Sequence, residues 1–215
     1  MGQAARNRAR DLMTVVRNQV NAGNLLVLNQ GLNVDLARGL VFVHNPKVMG
    51  TSLKSLLGLP IDNADHRFPT VMVSKRIWEE STTIVAVRHP IDRFVSSFHF
   101  HCRSDYDGGY LARFPDLKTW TMERYFETMT TQCPNVIAPQ WKYTLHMDSE
   151  CPPDFLIRFE NSEPEVERLR KQLGVSQLLM RMNQRTKPPP PLDASMRERL
   201  VVYYQRDFNQ FGYTP

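Results

Sequence analysis

The sequence predicts an α/β fold, a single domain with a mainly parallel central sheet flanked by helices. Three features carry that expectation. Two short apolar runs, Leu40–Val43 and Thr82–Val87, are each followed at once by turn residues and then by apolar residues at helical spacing, as in buried parallel strands that feed helices. A third run, Asp154–Phe159, ends in a polar Glu160-Asn161 pair and leads into another helical stretch. The length of 215 residues suits one core that buries about 70% of the unfolded surface.

Residues 3–22 have the pattern of an amphipathic helix: Leu12, Val15, Val16 and Val20 share a face, with Arg6, Arg8 and Arg10 ahead of them. Leu25–Leu28 suits a short strand and Gly31–Gly39 a loop. Residues 1–39 are therefore taken as an N-terminal helix and lead-in segment of the same domain, whose main body is 40–215. After the Leu40–Val43 strand the chain breaks at Asn45-Pro46 and passes through Lys47, Gly50, Thr51 and Ser52 into a helix carrying Leu53, Leu56 and Leu57. Residues 60–69 are polar and turn-rich, which places them at the rim of the sheet. A short helix is expected around Ser74–Glu80, then the Thr82–Val87 strand, then a helix opened by Pro90 at its first turn with Ile91, Phe94, Val95 and Phe98 as its core stripe. Leu117, Trp120, Tyr125, Phe126 and Met129 predict a helix over 116–128. Ser162 and Glu165 form the sequence pattern of a capping box, and Gly174 ends the helix that follows. Asn183–Pro191 is a proline-rich connector, and Asp193 is placed to cap a last helix.

The mildly basic balance, formal net charge +5 and pI about 9.2, suits an anionic ligand without choosing one. Three cysteines, Cys102, Cys133 and Cys151, form no C-x-x-C pair. The low, odd count suggests a reducing compartment, with a Cys133–Cys151 pairing left open. No apolar stretch reaches transmembrane length, and the arginine-rich N-terminus lacks a signal-peptide core. The expected location is the cytoplasm, a trimmed Golgi-lumenal catalytic domain being the alternative. His99, His101 and Cys102 do not share a helix face well and no acidic ligand joins them, so no metal is expected there.

The chemistry concentrates where the first strand meets its helix. Helix N-terminal N–H groups point at whatever occupies such a loop, Gly50 permits close approach, Lys47 adds a full charge, and Thr51 and Ser52 add donors. The loop is a phosphate or sulfate cradle. It is not a Walker loop, because Lys47 stands ahead of Gly50 rather than directly before the hydroxyl residue. A second anion motif follows the second strand: Arg88-His89-Pro90-Ile91-Asp92-Arg93-Phe94-Val95-Ser96, with Arg88 able to grip an anion bidentately.

The order His44-Asn45-Pro46-Lys47-Val48-Met49-Gly50-Thr51-Ser52 resembles the 5′-phosphosulfate loop of sulfotransferases that use 3′-phosphoadenosine 5′-phosphosulfate (PAPS), in the form found in their carbohydrate branch. Met49 departs from it, many members having a small residue there. The Arg88…Ser96 motif resembles the same family's 3′-phosphate motif. Pro139-Gln140, Arg158-Phe159-Glu160-Asn161 and the terminal Tyr204 to Tyr213 segment resemble further family segments, so the likeness runs in order over residues 40–213. It implies the P-loop-like sulfotransferase fold, with residues 40–215 as the sulfotransferase domain. The implied activity is sulfuryl transfer from PAPS to an acceptor hydroxyl on a glycan or other small molecule, with no metal, nucleic acid or membrane span. Lys47, Val48, Met49, Gly50, Thr51 and Ser52 would hold the 5′-phosphosulfate. Arg88 and Ser96 would hold the 3′-phosphate, with Arg93 in a supporting role. Lys47 and His66 would be catalytic, His66 as the base, ahead of Asp62, Asp65 and His101. Trp141 is a candidate to stack on a sugar, and the loop around Asp107-Gly108-Gly109 a candidate to cover the acceptor. Two other readings stay open. A P-loop kinase would need a Gly-Lys-Ser/Thr run and a metal-holding Asp at a strand end, neither of which is present. A non-catalytic binder of nucleotide or glycan would keep the same scaffold.

Overall fold

The computed structural model describes residues 32–62, 65–179 and 192–215. The expected N-terminal helix, the strand at Leu25–Leu28 and the connector at 183–191 lie outside the described residues.

Among the described residues, four strands form one sheet in the order β1 (Val34–Asp35), β2 (Leu40–Val43), β3 (Thr82–Val87) and β4 (Phe155–Arg158). β1 pairs antiparallel with β2, while β2, β3 and β4 run parallel, with Leu40 opposite Thr82 and Ile84 opposite Phe155. The segment 31–39, expected as a loop, thus contributes a short edge strand. The helices in chain order are α1 (Gly50–Leu57), α2 (Pro69–Met72), α3 (Lys75–Glu80), α4 (Pro90–Cys102), α5 (Tyr110–Arg113), α6 (Met122–Gln132), α7 (Trp141–Thr144), α8 (Glu163–Leu173), α9 (Ala194–Tyr203) and α10 (Gln205–Phe211). This is the α/β class that the strand and helix spacing predicts.

By internal packing the described residues divide into two compact units, one made from residues before Arg88 together with those from 142 to 179, the other of 88–141 together with 192–215. The first holds the sheet. Leu40 and Phe42 of β2, Ile84 and Ala86 of β3, and Phe155 and Ile157 of β4 pack with Leu53, Leu56 and Leu57 of α1 and Val166 and Leu169 of α8. The alternate residues Val41, Val43, Val85 and Val87 are buried as well. Burial on both faces is why these strands are continuous apolar runs rather than alternating ones. The second unit is helical, and Ile91, Phe94 and Val95 of α4 join Tyr125, Phe126 and Met129 of α6 and Leu200 of α9 in its core.

Local chemistry sets most element ends. The Ser74 side chain accepts from the Ile77 N–H at the start of α3. Asp193 accepts from the Met196 N–H at 2.9 Å and starts α9 as expected, while Gly174 takes the left-handed conformation that closes α8. Two expectations are corrected. The helix expected over 116–128 is a 3₁₀ turn at Leu117–Thr119 and then α6, because Trp120 is extended and the Thr121 hydroxyl caps the Arg124 N–H. The capping box at Ser162 does not form: a 3₁₀ turn over Phe159–Asn161 runs into Ser162 in helical conformation, its side chain caps nothing, and Glu165 pairs with Arg168 at 2.9 Å. The last helix is split at Tyr204 into α9 and α10.

Candidate active site

In the first unit the site is built outward from the end of β2. The Asn45 side chain donates to the Ala86 carbonyl at 3.0 Å, which ties the start of the loop to β3. The backbone then turns sharply: Lys47 has φ 63° and Met49 φ 45°. Both are left-handed, a conformation that costs a non-glycine residue about 1–2 kcal/mol. Such turns aim successive N–H groups into a concavity that suits an anion. Met49 is the residue that enters α1, and no side chain caps that helix start. The first N–H groups of α1 thereby face the loop without a side-chain cap, as an anion-binding helix start requires.

Gly50 is fixed by a neighbour. A Cβ at this position would overlap the His44 imidazole ring. That ring, only 7% exposed, lies 4.5 Å from the His66 ring at an interplanar angle of 64°. Burial, followed by the positive charges of His66, Lys54 and Lys47, pushes His44 down from 6.5 to about 2. Its Nδ1 is buried with no partner among the described residues.

His66 Nδ1 lies 2.7 Å from the His44 carbonyl oxygen. A carbonyl only accepts, so Nδ1 carries the proton and Nε2 carries the lone pair. Burial lowers the His66 pKa. The His44 carbonyl bond and Asp65 oppose this, and Lys47 and Lys54 add to it. The result is a half-buried imidazole whose Nδ1 proton is held by the His44 carbonyl, in the electrostatic field of Lys47. The rival bases are otherwise placed. Asp65 is engaged by Arg67 through Nη2 at 2.7 Å and Nε at 3.0 Å, Asp62 is exposed, and His101 is buried in the second unit against the Tyr125 hydroxyl at 2.7 Å.

In the second unit Arg88 follows directly on the last residue of β3, and Ser96 is half-buried on α4. Its neighbour Ser97 is buried and bonded to the Tyr125 hydroxyl at 3.0 Å. Arg93 is buried at 1% exposure. Its Nη2 donates to the carbonyls of Ile137 and Ala138.

The profile of the sulfotransferase family matches residues 30–214. The chain belongs to the sulfotransferase family. Comparison with curated proteins and with solved structures gave no match.

Sulfotransferase membership makes the chain a transferase of sulfuryl groups. Among the described residues no group of three or more His, Cys, Asp or Glu side chains is placed to hold a metal ion, and no helix is long and apolar enough to cross a membrane. All three cysteines are free. Trp141 carries the Arg206 guanidinium 3.8 Å from its ring centroid. Tyr106, in the loop expected to cover the acceptor, is buried at 6% exposure.

The surroundings of three residues of this sulfotransferase had no signature in the sequence. His44 is part of the loop motif, but its packing against Gly50 and His66 has no local signature. Lys54 is fully buried on α1; burial lowers its pKa, with Asp65 opposing. A lysine in the last turn of a helix otherwise looks like a solvated charge. Gln140 is also fully buried, and its partners are 52 and 67 residues away.

Proposed function

We propose that this sulfotransferase moves a sulfuryl group from PAPS to an acceptor hydroxyl, with a carbohydrate as the preferred acceptor class. The loop after β2 takes the 5′-phosphosulfate through Lys47, the backbone at Val48, Met49 and Gly50, and the hydroxyls of Thr51 and Ser52. Arg88 and Ser96 take the 3′-phosphate. The observation that carries the reading is the seat of His66: its Nδ1–H is committed to the His44 carbonyl, so Nε2 is the basic nitrogen, and Lys47 lies close enough to lower the pKa of the ring.

The reaction then balances in one step. The acceptor hydroxyl gives its proton to His66 Nε2 while its oxygen forms a bond to sulfur. The bond from sulfur to the bridging oxygen breaks, and its electron pair stays on the 5′-phosphate of the leaving adenosine 3′,5′-bisphosphate. Lys47 and the N–H groups at the start of α1 stabilise that charge as it develops. A transferring sulfuryl carries less negative charge than a phosphoryl, so a lysine suffices in this scheme. The net charge of +5 and the likeness to the carbohydrate branch favour a glycan acceptor.

The test is transfer of labelled sulfur from PAPS to a panel of glycans, simple alcohols and phenols. Glycan labelling is expected. Labelling of phenols alone would overturn the acceptor class. Binding of PAPS without transfer to any acceptor would return the chain to a non-catalytic binder, and phosphoryl transfer from ATP would revive the kinase reading.

A further inference from the structure

A strand that ends leaves its next N–H and C=O without a ladder partner, and buried backbone groups need one. At Arg88, the first residue after β3, one side chain supplies both. The Arg88 N–H donates to Gln140 Oε1 at 2.9 Å, and Gln140 Nε2 donates to the Arg88 carbonyl at 2.6 Å. A primary amide offers one acceptor and one donor in a plane, so Gln140 replaces one rung of a missing strand.

Gln140 is itself held at both ends. Its own N–H donates to Asp207 Oδ2 at 2.7 Å, and the Trp141 N–H donates to Asp207 Oδ1 at 2.9 Å. Both Gln140 and Asp207 have 0% exposure. Just upstream, Arg93 grips the carbonyls of Ile137 and Ala138. Residues 137–141 are therefore fastened from α4 and from α10, and the amide that leaves this segment ends on Arg88.

We infer that Gln140, anchored by Asp207, is a positioning residue that sets recognition of the 3′-phosphate by fixing the backbone of Arg88. An arginine side chain swings about its Cα–Cβ bond. Where its guanidinium comes to rest depends on how tightly that bond is aimed, and a two-point clasp on the flanking N–H and C=O aims it. The exchange of one donor and one acceptor is special to the amide. Glutamate keeps the acceptor for the Arg88 N–H but sets a second oxygen against the Arg88 carbonyl. Leucine leaves both groups unpaired.

This rests on the proposal that Arg88 binds the 3′-phosphate, and the test separates the two. Calorimetry with adenosine 3′,5′-bisphosphate and with adenosine 5′-monophosphate, on the full chain, gives a ratio of affinities that does not depend on the active fraction. Wild type is expected to prefer the bisphosphate, and Arg88→Ala to lose that preference. Gln140→Leu and Gln140→Glu should each cut the ratio by about tenfold, the effect of losing roughly one buried hydrogen bond, with monophosphate affinity within about twofold of wild type. Asp207→Asn should cut it by about threefold, since one of its two acceptors is kept. Asp193→Ala removes a bond of this unit outside that segment, the cap in which Asp193 accepts from the Met196 N–H at 2.9 Å. It should lower the melting temperature and leave the ratio alone, which separates positioning from general stability.

A wild-type ratio in both Gln140 variants, with the preference lost in Arg88→Ala, would overturn the positioning role and leave the 3′-phosphate assignment standing. No preference in wild type, or a preference that survives Arg88→Ala, would remove the assignment and the positioning role with it. If neither Gln140 variant folds, an unchanged ratio in Asp207→Asn overturns the inference.

Discussion

His44 should make the protein lose stability in mild acid, and the size of the loss follows from its burial. In the unfolded chain its imidazole titrates at 6.5, whereas in the fold burial and the charges of His66, Lys54 and Lys47 hold it down to about 2. The folded-state value is the lower one, so the unfolded chain takes up the proton first. The contribution of His44 to stability is whole above 6.5 and drains away as pH falls toward about 2. The limiting slope for one such proton is about 1.4 kcal/mol per pH unit. Between about pH 7.5 and about pH 5.5 the integrated loss is about 1.4 kcal/mol, because little of the unfolded chain is protonated in the upper half of that window. Urea unfolding at a series of pH values measures it, with His44→Phe as the comparison. Phenylalanine keeps a ring beside Phe42 and His66, and His44 Nδ1 has no partner among the described residues to lose. The lowered pKa of His66 acts in the same direction in both proteins, so the difference between their slopes belongs to His44. Wild type and His44→Phe losing stability in parallel across that window would refute the reasoning.

The remaining predictions concern the site and its frame. Gly50→Ala should displace the His44 ring and with it the seat of His66, costing about 1–3 kcal/mol of stability by overpacking and lowering turnover; a urea midpoint equal to wild type would contradict the clash. Lys47→Ala should depress kcat by about a hundredfold and change affinity for adenosine 3′,5′-bisphosphate much less, since its main contribution arises as the leaving group charges; kinetics and calorimetry on the same variant separate the two effects. His66→Ala should lower kcat by about 10²–10⁴-fold and abolish the acidic limb of the pH–rate profile. Because burial lowers the His66 pKa, that limb in wild type should lie below the ordinary histidine value, and a limb above it would argue for another base. Asp193→Ala should destabilise the chain by about 1 kcal/mol through loss of the cap on α9, as read by thermal unfolding.

Most of the frame was legible because its signals are local. The apolar runs at 40–43 and 82–87 are strands since burial on both faces demands continuous apolar residues, and the caps at Ser74 and Asp193 act within three positions. The same local reasoning failed where neighbours competed. Thr121 captured a helix start expected at 116, and the turn over Phe159–Asn161 took Ser162 into helical conformation before it could cap. Local sequence offers several compatible starts at such places, and packing selects among them.

The sequence by itself determined the family likeness, the strand-to-helix loop that carries Lys47 and Gly50, and the succession of parallel strands and helices. These depend on periodicity, turn chemistry and residue order, which operate over a few positions. Only the tertiary structure decided the state of the groups in and around the loop. The His66 tautomer is set by a carbonyl 22 residues away, and the Arg88 backbone by an amide 52 residues away. The lowered pKa of His44 comes from burial and from His66, Lys54 and Lys47, and Asp65 is paired with Arg67 at 2.7 Å. Desolvation and long-range hydrogen bonding have no counterpart in a linear pattern, because both come into being only when the core closes and water leaves.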